Sequence, residues 1–293
     1  MANFKDQTLL VTGASGNFGR IAVEELLAKG ATKVIAGSRD TAKVADLVAK
    51  GAEARKVDFD DAGSLATAFT GVDRILIVST DAIGSRVAQH TAAVKAAAAA
   101  GVKHIVYTSA PAARPDVNAG LVPEHFWTEV AIANSGLDFT VLRNHMYADN
   151  NLQGIAAALA SGQLFDASGT RSTSFVTRAD TARTAAGALL TAEGKEILDV
   201  TGPAQVSPEE VAAIFSKLSG KTIARVGLTA QQLREGMAAA GLPAPVIDIL
   251  VGFQVDASLG YHSIVTDVVE RFSGRKPQSL EAFLTENRAA FAG

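Results

Sequence analysis

The sequence predicts an α/β protein, a doubly wound parallel sheet carrying a smaller, mostly helical C-terminal substrate lobe. Two observations lead to this. Short apolar runs alternate with amphipathic helical stretches from Thr8 to Leu142, joined by brief glycine-marked connections, which is the pattern of βα units laid side by side. The first connection holds Gly13, Gly16 and Gly19 at three-residue intervals between a strand and a helix. A Rossmann-like sheet sets such a turn against the pyrophosphate of a dinucleotide.

The run Thr8 to Val11 is short enough for a strand buried on both faces, and Ile21 to Leu27 continues as an amphipathic helix. Gly13 permits a tight bend, Gly16 lets backbone approach phosphate with no Cβ in the way, and Gly19 lets the helix pack closely on the strand. Ser15, Asn17 and Phe18 complete this candidate cradle, where the helix N-terminus turns free N–H groups toward negative charge.

The second strand, Lys33 to Gly37, ends at Ser38-Arg39-Asp40, where cofactor choice is made. An acidic side chain here binds a ribose 2′-hydroxyl, whereas arginine accommodates a 2′-phosphate. Ser38 and Arg39 favour NADP, and Lys43 adds a second positive charge; the alternative is that both cations are solvated and Asp40 is a helix N-cap.

Strands Ala54 to Phe59, Arg74 to Val78, His104 to Thr108 and Phe139 to Leu142 follow, with helices Ala62 to Phe69, Ser85 to Ala100 and Pro123 to Asn134 between them. Ligands of open α/β sheets bind outside the carboxyl ends of the strands. Asp58 and Phe59 are therefore expected to flank the adenine, and Val78, Ser79, Thr80, Thr108 and Ser109 the nicotinamide ribose and ring. Asp58 or Asp60 could instead cap the following helix.

Beyond Asn151 the alternation fades. Ser207-Pro-Glu-Glu and Thr229-Ala-Gln-Gln are helix starts, and Thr177 to Asp180 is expected to be a strand entering a helix capped by Asp180. The division expected is a dinucleotide-binding domain over 1–150 and a substrate lobe over 151–293, with segments free to interleave. Leu242 to Val246 and Gly252-Phe253 are lid, pocket wall or core.

With 293 residues and 48% hydrophobic content, the chain can bury a sizeable core. A net charge of −3 without Lys/Arg blocks argues against nucleic acid and a polybasic membrane surface as partners. The absence of cysteine excludes disulfides and thiolate catalysis, and five scattered histidines give no metal-binding spacing. Met1 to Gln7 is polar and no long apolar span follows, so a cytoplasmic monomer or small homo-oligomer is expected. Tyr107, Tyr147 and Tyr261 are followed four residues later by Pro111, Asn151 and Val265, so the Tyr-x-x-x-Lys acid of ordinary short-chain dehydrogenases is missing.

Val11 to Gly19, Ser38 to Lys43, Ala100 to Ser109, Glu124 to Glu129, Leu142 to Asn150 and Thr177 to Asp180 together resemble the NmrA-like group of atypical short-chain dehydrogenases/reductases, in order and over nearly the whole chain. The resemblance implies NADPH as cofactor, with Arg39 and Lys43 on its 2′-phosphate and Asn144 and Tyr147 beside the nicotinamide. It implies hydride transfer to a small, electron-poor acceptor such as a quinone, or to an imine, enone or dye; group members that only sense NADP(H) offer a second reading. One departure is Val130, where quinone-reducing members carry lysine. Reduction of a quinone yields a weakly basic hydroquinone anion that solvent can protonate, which suits an acid-poor site. Asn144, His145 and Tyr147 are the candidate catalytic residues, either of the first two able to hydrogen-bond a quinone oxygen. His125 and Glu129 share one helix face and either reach the substrate mouth or form an ordinary packed pair.

Overall fold

The computed structural model describes residues 6–116 and 120–291; of the polar start Met1 to Gln7, residues 1–5 lie outside that range. Strands β1 (Thr8–Val11), β2 (Lys33–Ser38), β3 (Glu53–Lys56), β4 (Arg74–Ile77), β5 (His104–Ser109) and β6 (Asp138–Asn144) enter one sheet. β7 (Gln163–Asp166) leaves it, and β8 (Lys195–Val200) returns to its edge. The order β3-β2-β1-β4-β5-β6-β8 is parallel throughout. Since β2 and β4 lie on opposite sides of β1, the winding reverses there and a crevice opens at the carboxyl ends of β1 and β4.

Helices α1 (Asn17–Ala28), α2 (Ala45–Ala49), α3 (Ala62–Phe69), α4 (Arg86–Ala99) and α5 (Val122–Ala133) alternate with the strands. α6 (Asn151–Ser161) precedes β7, and α7 (Arg178–Thr191) precedes β8. The side-chain alternation of the strands sorts the core into two layers. Leu9, Val11, Leu76, Val106 and Leu142 pack with Val23 and Leu26 of α1 and Leu189 of α7. Leu10, Ile75, Ile77, Ile105 and Val141 pack with Phe69 of α3, Val94 of α4 and Ile132 of α5. Leu9, Leu10 and Val11 are all fully buried, which is why this run carries no polar residue.

The remaining helices are α8 (Pro208–Ser219), α9 (Ala230–Ala239), α10 (Ala244–Ser258), α11 (Val268–Ser273) and α12 (Leu280–Glu286), and β9 (Ala224–Gly227) pairs in parallel with β7. α11 joins α7 on the large sheet's first layer. α6, α8 and α12 bury their own cluster around Phe215 and Leu284, and α9 and α10 another around Leu233 and Val251. Ser207 and Thr229 close the two capping boxes expected at α8 and α9.

Three local expectations are corrected. β3 stops at Lys56, because the chain bends away where Ser64 Oγ, at the start of α3, donates to the Lys56 carbonyl at 3.0 Å. Asp61 caps α3 by accepting from Ser64 N–H, while the Asp58 carboxylate accepts from Asp60 N–H. α7 is capped by Thr177, whose hydroxyl accepts from Asp180 N–H; the Asp180 carboxylate instead accepts from Gln278 N–H.

The approach of α1 to β1 allows no side chain at Gly19, where a Cβ would sit 2.5 Å from the Gly13 carbonyl oxygen. Gly19→Ala is expected to destabilise the fold by about 1–3 kcal/mol through overpacking against backbone, measured as a lowered denaturation midpoint.

Candidate functional site

The turn after β1 is built by backbone. Gly13 takes φ +62°, its carbonyl accepts from Gly16 N–H at 3.0 Å, and Ala14 N–H donates to the Gly37 carbonyl at 2.9 Å, tying the turn to β2. Gly16 is the N-cap of α1, makes no side-chain cap bond, and no acidic residue lies in the first turn. The positive end of α1 is therefore left for an external anion. A Cβ on Gly16 would meet only the Gly13 carbonyl, at 3.4 Å, so this glycine opens toward the cleft while Gly19 closes against protein.

A cleft of about 330 Å³ runs along the strand ends from this turn. Gly13, Ser15, Gly16, Asn17, Phe18, Gly19, Ser38, Arg39, Asp58, Phe59, Val78, Ser79 and Thr80, all candidates from the sequence, line it. Thr12, Val57, Asp60, Asp81, Ala82 and Gln89 line it too and were not anticipated. Thr12, Asp60 and Asp81 adjoin anticipated strand-end residues. Gln89 lies inside α4, where no strand-end rule points.

At the β2 end, Asp40 is used internally: its carboxylate accepts from Ala42 N–H at 3.0 Å and caps the short 3₁₀ turn Thr41–Val44. Ser38 Oγ donates to the Asp40 carbonyl at 2.8 Å. Arg39 is exposed and lines the cleft, so the charge that faces a ligand here is positive. Lys43 is exposed on the 3₁₀ turn and lies outside the lining.

Thr108 and Ser109 also leave the lining. Thr108 Oγ1 instead accepts from Ser79 N–H at 2.8 Å, so it shapes the cleft wall rather than forming it. Ser109, on the other face of β5, donates to Glu129 at 2.6 Å. Glu129 also takes Arg143 Nε and Nη2 at 3.0 and 2.7 Å. His125 lies on the same inward face of α5, its Nδ1 2.9 Å from the Tyr107 hydroxyl. Both residues are buried in the core beneath the sheet ends, so the packed-pair reading replaces the substrate-mouth one. Burial, reinforced by Arg86, pushes the His125 imidazole down to about 3, leaving it neutral.

Asn144 ends β6 and is buried; its Nδ2 donates to the Tyr147 hydroxyl at 3.3 Å, while its Oδ1 has no partner. The Arg178 guanidinium lies 4.8 Å from the Tyr147 ring centroid. Burial raises the Tyr147 phenol above its ordinary value. His145 points elsewhere: Nε2 lies 3.0 Å from Asp199 Oδ1 and Nδ1 3.3 Å from Ser174 Oγ. With both nitrogens occupied and the side chain fully buried, His145 offers no nitrogen to an acceptor, a correction to its candidate role. None of the three lines the cleft.

A second cavity, of about 850 Å³, lies beyond the loop that bounds the cleft: Ala82 lines the cleft and Ile83 the second cavity. Leu121 and, from α10, Pro245, Ile249, Gly252 and Val255 supply apolar walls, so part of the stretch anticipated as pocket wall serves as one. Arg114, on its rim, is tied to Asp256 at 2.6 Å and lies over the Tyr261 ring. Among the described residues no group of His, Asp and Glu could hold a metal, and no helix is long and apolar enough to cross a membrane.

A parallel sheet with a glycine cradle, an open helix N-terminus and an arginine at the β2 end defines a dinucleotide-binding α/β protein of the short-chain dehydrogenase/reductase type. The chain matches the NmrA-like family over residues 5–284 and belongs to it. It is 35% identical over 255 residues to quinone oxidoreductase 2 of Escherichia coli, covering 86% of this chain and 88% of that one. The structure of the E. coli NADPH-dependent quinone oxidoreductase QOR2 complexed with NADPH superposes with a TM-score of 0.89 at 31% identity, over 96% of this chain and 99% of that one. The Citrobacter sp. triphenylmethane reductase complexed with NADP(H) gives a TM-score of 0.85 at 29% identity, with the same coverage.

Gly16→Val is expected to remove dinucleotide binding and leave the protein folded, because the branched side chain enters the cleft rather than the core. Circular dichroism with a cofactor titration reads both; normal binding by the variant would place the phosphates elsewhere.

Proposed function

We propose that this NAD(P)H-dependent oxidoreductase uses NADPH to reduce a quinone or a similarly electron-poor aromatic acceptor. The observation that carries the reading is the cleft: an uncapped α1 opposite Gly16, with Arg39 at the β2 end and the neighbouring Asp40 spent on its own cap. Those residues fit a dinucleotide with a 2′-phosphate. When bound, NADPH supplies the hydride.

The protein's own contribution is then to hold and orient. Backbone N–H groups of Asn17 and Phe18 would face the pyrophosphate, Arg39 would pair with the 2′-phosphate, and Asp58 and Phe59 would flank the adenine. The 1–150 segment supplies these contacts, and the α9–α10 portion of 151–293 supplies an apolar wall for the acceptor. The size of the second cavity suits an aromatic molecule. Asn144 is the polar group for the acceptor oxygen. A half-turn of its carboxamide lets the Tyr147 hydroxyl donate to Oδ1, which leaves Nδ2 free to stabilise negative charge developing on that oxygen.

A second reading, a sensor that holds NADP(H) without turnover, is favoured by the missing Tyr-x-x-x-Lys pair and by the internal pairing of His145. Following NADPH oxidation against quinones, dyes, enones and ketones separates the two. Turnover with quinones or dyes supports the reductase, whereas binding with no turnover on any acceptor leaves the sensor.

Arg39→Ala is expected to weaken NADPH by about 1.5–3 kcal/mol, the worth of a charge-assisted bond, and to leave NADH nearly unchanged. Equal losses for both cofactors would remove Arg39 from the 2′-phosphate. For Asn144→Ala, quinone turnover should fall roughly a hundredfold, the loss of a donor worth about 2.7–4 kcal/mol, with NADPH affinity barely altered. Unaltered turnover sinks the role given to Asn144.

A further inference from the structure

β4 ends at Ile77, yet the next three residues run along the cleft with their backbone N–H groups held by side chains of three different elements. Val78 N–H donates to Thr12 Oγ1 at 3.0 Å, Ser79 N–H to Thr108 Oγ1 at 2.8 Å, and Thr80 N–H to His90 Nε2 at 3.1 Å. Threonine at a strand end is unremarkable chemistry for such a bond. A fully buried histidine in the middle of α4 is not.

The hydrogen bonds fix the imidazole. Because Nε2 accepts from a backbone N–H, the ring proton of the neutral form sits on Nδ1, 3.1 Å from Thr128 Oγ1. Thr128 can accept it, since its own hydroxyl donates to the Glu124 carbonyl at 2.8 Å. Phe59 and Tyr107 meet the ring edge to face, with centroids 6.1 and 5.4 Å away. Burial, reinforced by Arg86, pushes the imidazole down to about 3, so Nε2 stays an acceptor throughout the neutral range.

Thr80 is held on its other side as well. Its hydroxyl donates to Gln89 Oε1 at 3.0 Å, and Gln89 Nε2 reaches both carboxylate oxygens of Asp60 across the cleft at 3.1 and 2.9 Å. The buried chain from His90 through Tyr107 to His125 does not amount to a proton path into the cleft. It terminates on a backbone N–H, too weak an acid to pass its proton on.

We propose that His90 is a positioning residue of the cofactor cleft: its Nε2 holds the Thr80 N–H so that residues 78–80 keep the wall against which NADPH lies. The proposal rests on the reading of the cleft as the NADPH site. An aliphatic side chain in the same space leaves the Thr80 N–H unpaired beside the cleft, free to turn toward water or ligand.

The two amide residues separate the two nitrogens of His90. Glutamine places its amide near the position of Nε2, and asparagine near that of Nδ1. Both His90→Gln and His90→Asn are expected to lower the denaturation midpoint, since each loses ring packing. Only His90→Asn releases Thr80, so its NADPH dissociation constant should rise about tenfold while that of His90→Gln stays within about twofold of wild type. Thr128→Val, which cuts the other bond of the imidazole, should lower stability with NADPH affinity intact. Equal NADPH affinity in both His90 variants overturns the proposal, as does a loss in Thr128→Val matching that of His90→Asn. If His90→Asn does not fold, ¹⁵N shifts of the wild-type imidazole decide: the Nδ1–H tautomer is expected, and a proton on Nε2 overturns the tether. Wild-type protein that fails to bind NADPH defeats the reading of the cleft itself, an outcome distinct from wild-type binding matched by both variants.

Discussion

The close approach of α1 to the turn after β1 is the constraint on which the cleft depends. A Cβ on Gly19 would stand 2.5 Å from the Gly13 carbonyl oxygen and 2.9 Å from the Ala14 Cα, so backbone meets backbone with nothing between. That contact aims the N-terminus of α1 across the ends of β1 and β4, where the winding of the sheet reverses. The three glycines consequently do different work. Gly13 supplies a left-handed bend, Gly19 supplies contact, and Gly16 lines the cleft with only the Gly13 carbonyl oxygen near where its Cβ would be. A protein using this turn merely as a βα connection has no need of the opening at Gly16, nor of an α1 start without a side-chain cap.

Strand alternation then decides which face of the sheet each of two neighbouring polar residues serves. Thr108 lies on the face of β5 shared with Val106, toward α1 and α7, and reaches Ser79. Ser109, one residue on, turns with Tyr107 toward α4 and α5 and meets Glu129. The same rule separates Asn144, which finds Tyr147, whose ring lies under Arg178 of α7, from Arg143, which pairs with Glu129 of α5. Polar residues at the carboxyl ends of the central strands thus split into a set facing α1 and α7 and a set clamping α5 onto the sheet.

Most of the sheet was legible because β1, β2, β4, β5 and β6 are apolar runs near glycine turns, and their parallel direction follows from alternation with helices. β3 was misjudged at its end: Val57 is buried like a strand residue, although the chain has already turned toward α3. The cleft residues on the glycine turn and at the β2 end were legible because local backbone places them. His90, Gln89 and the partners of His145 were not, since each depends on a contact between elements well separated in the chain. Asp199 meets His145 across 54 residues, and Thr128 meets His90 across 38. A histidine in an alanine-rich helix carries no local sign that a strand-end N–H will need its nitrogen.

The proton inventory bears on which acceptors such a site can serve. His90 and His125 are held neutral by burial, His145 is paired internally, and burial raises the Tyr147 phenol despite the Arg178 cation over its ring. Near neutral pH, Tyr147 therefore remains protonated and is not a poised acid. A ketone, whose reduction forms a strongly basic alkoxide, demands a tuned acid at the moment of transfer. A quinone does not, because its aromatic product anion is weakly basic and water can protonate it afterwards. On the proposed reading, hydrogen bonding from Asn144 is enough for the second kind of acceptor and too little for the first.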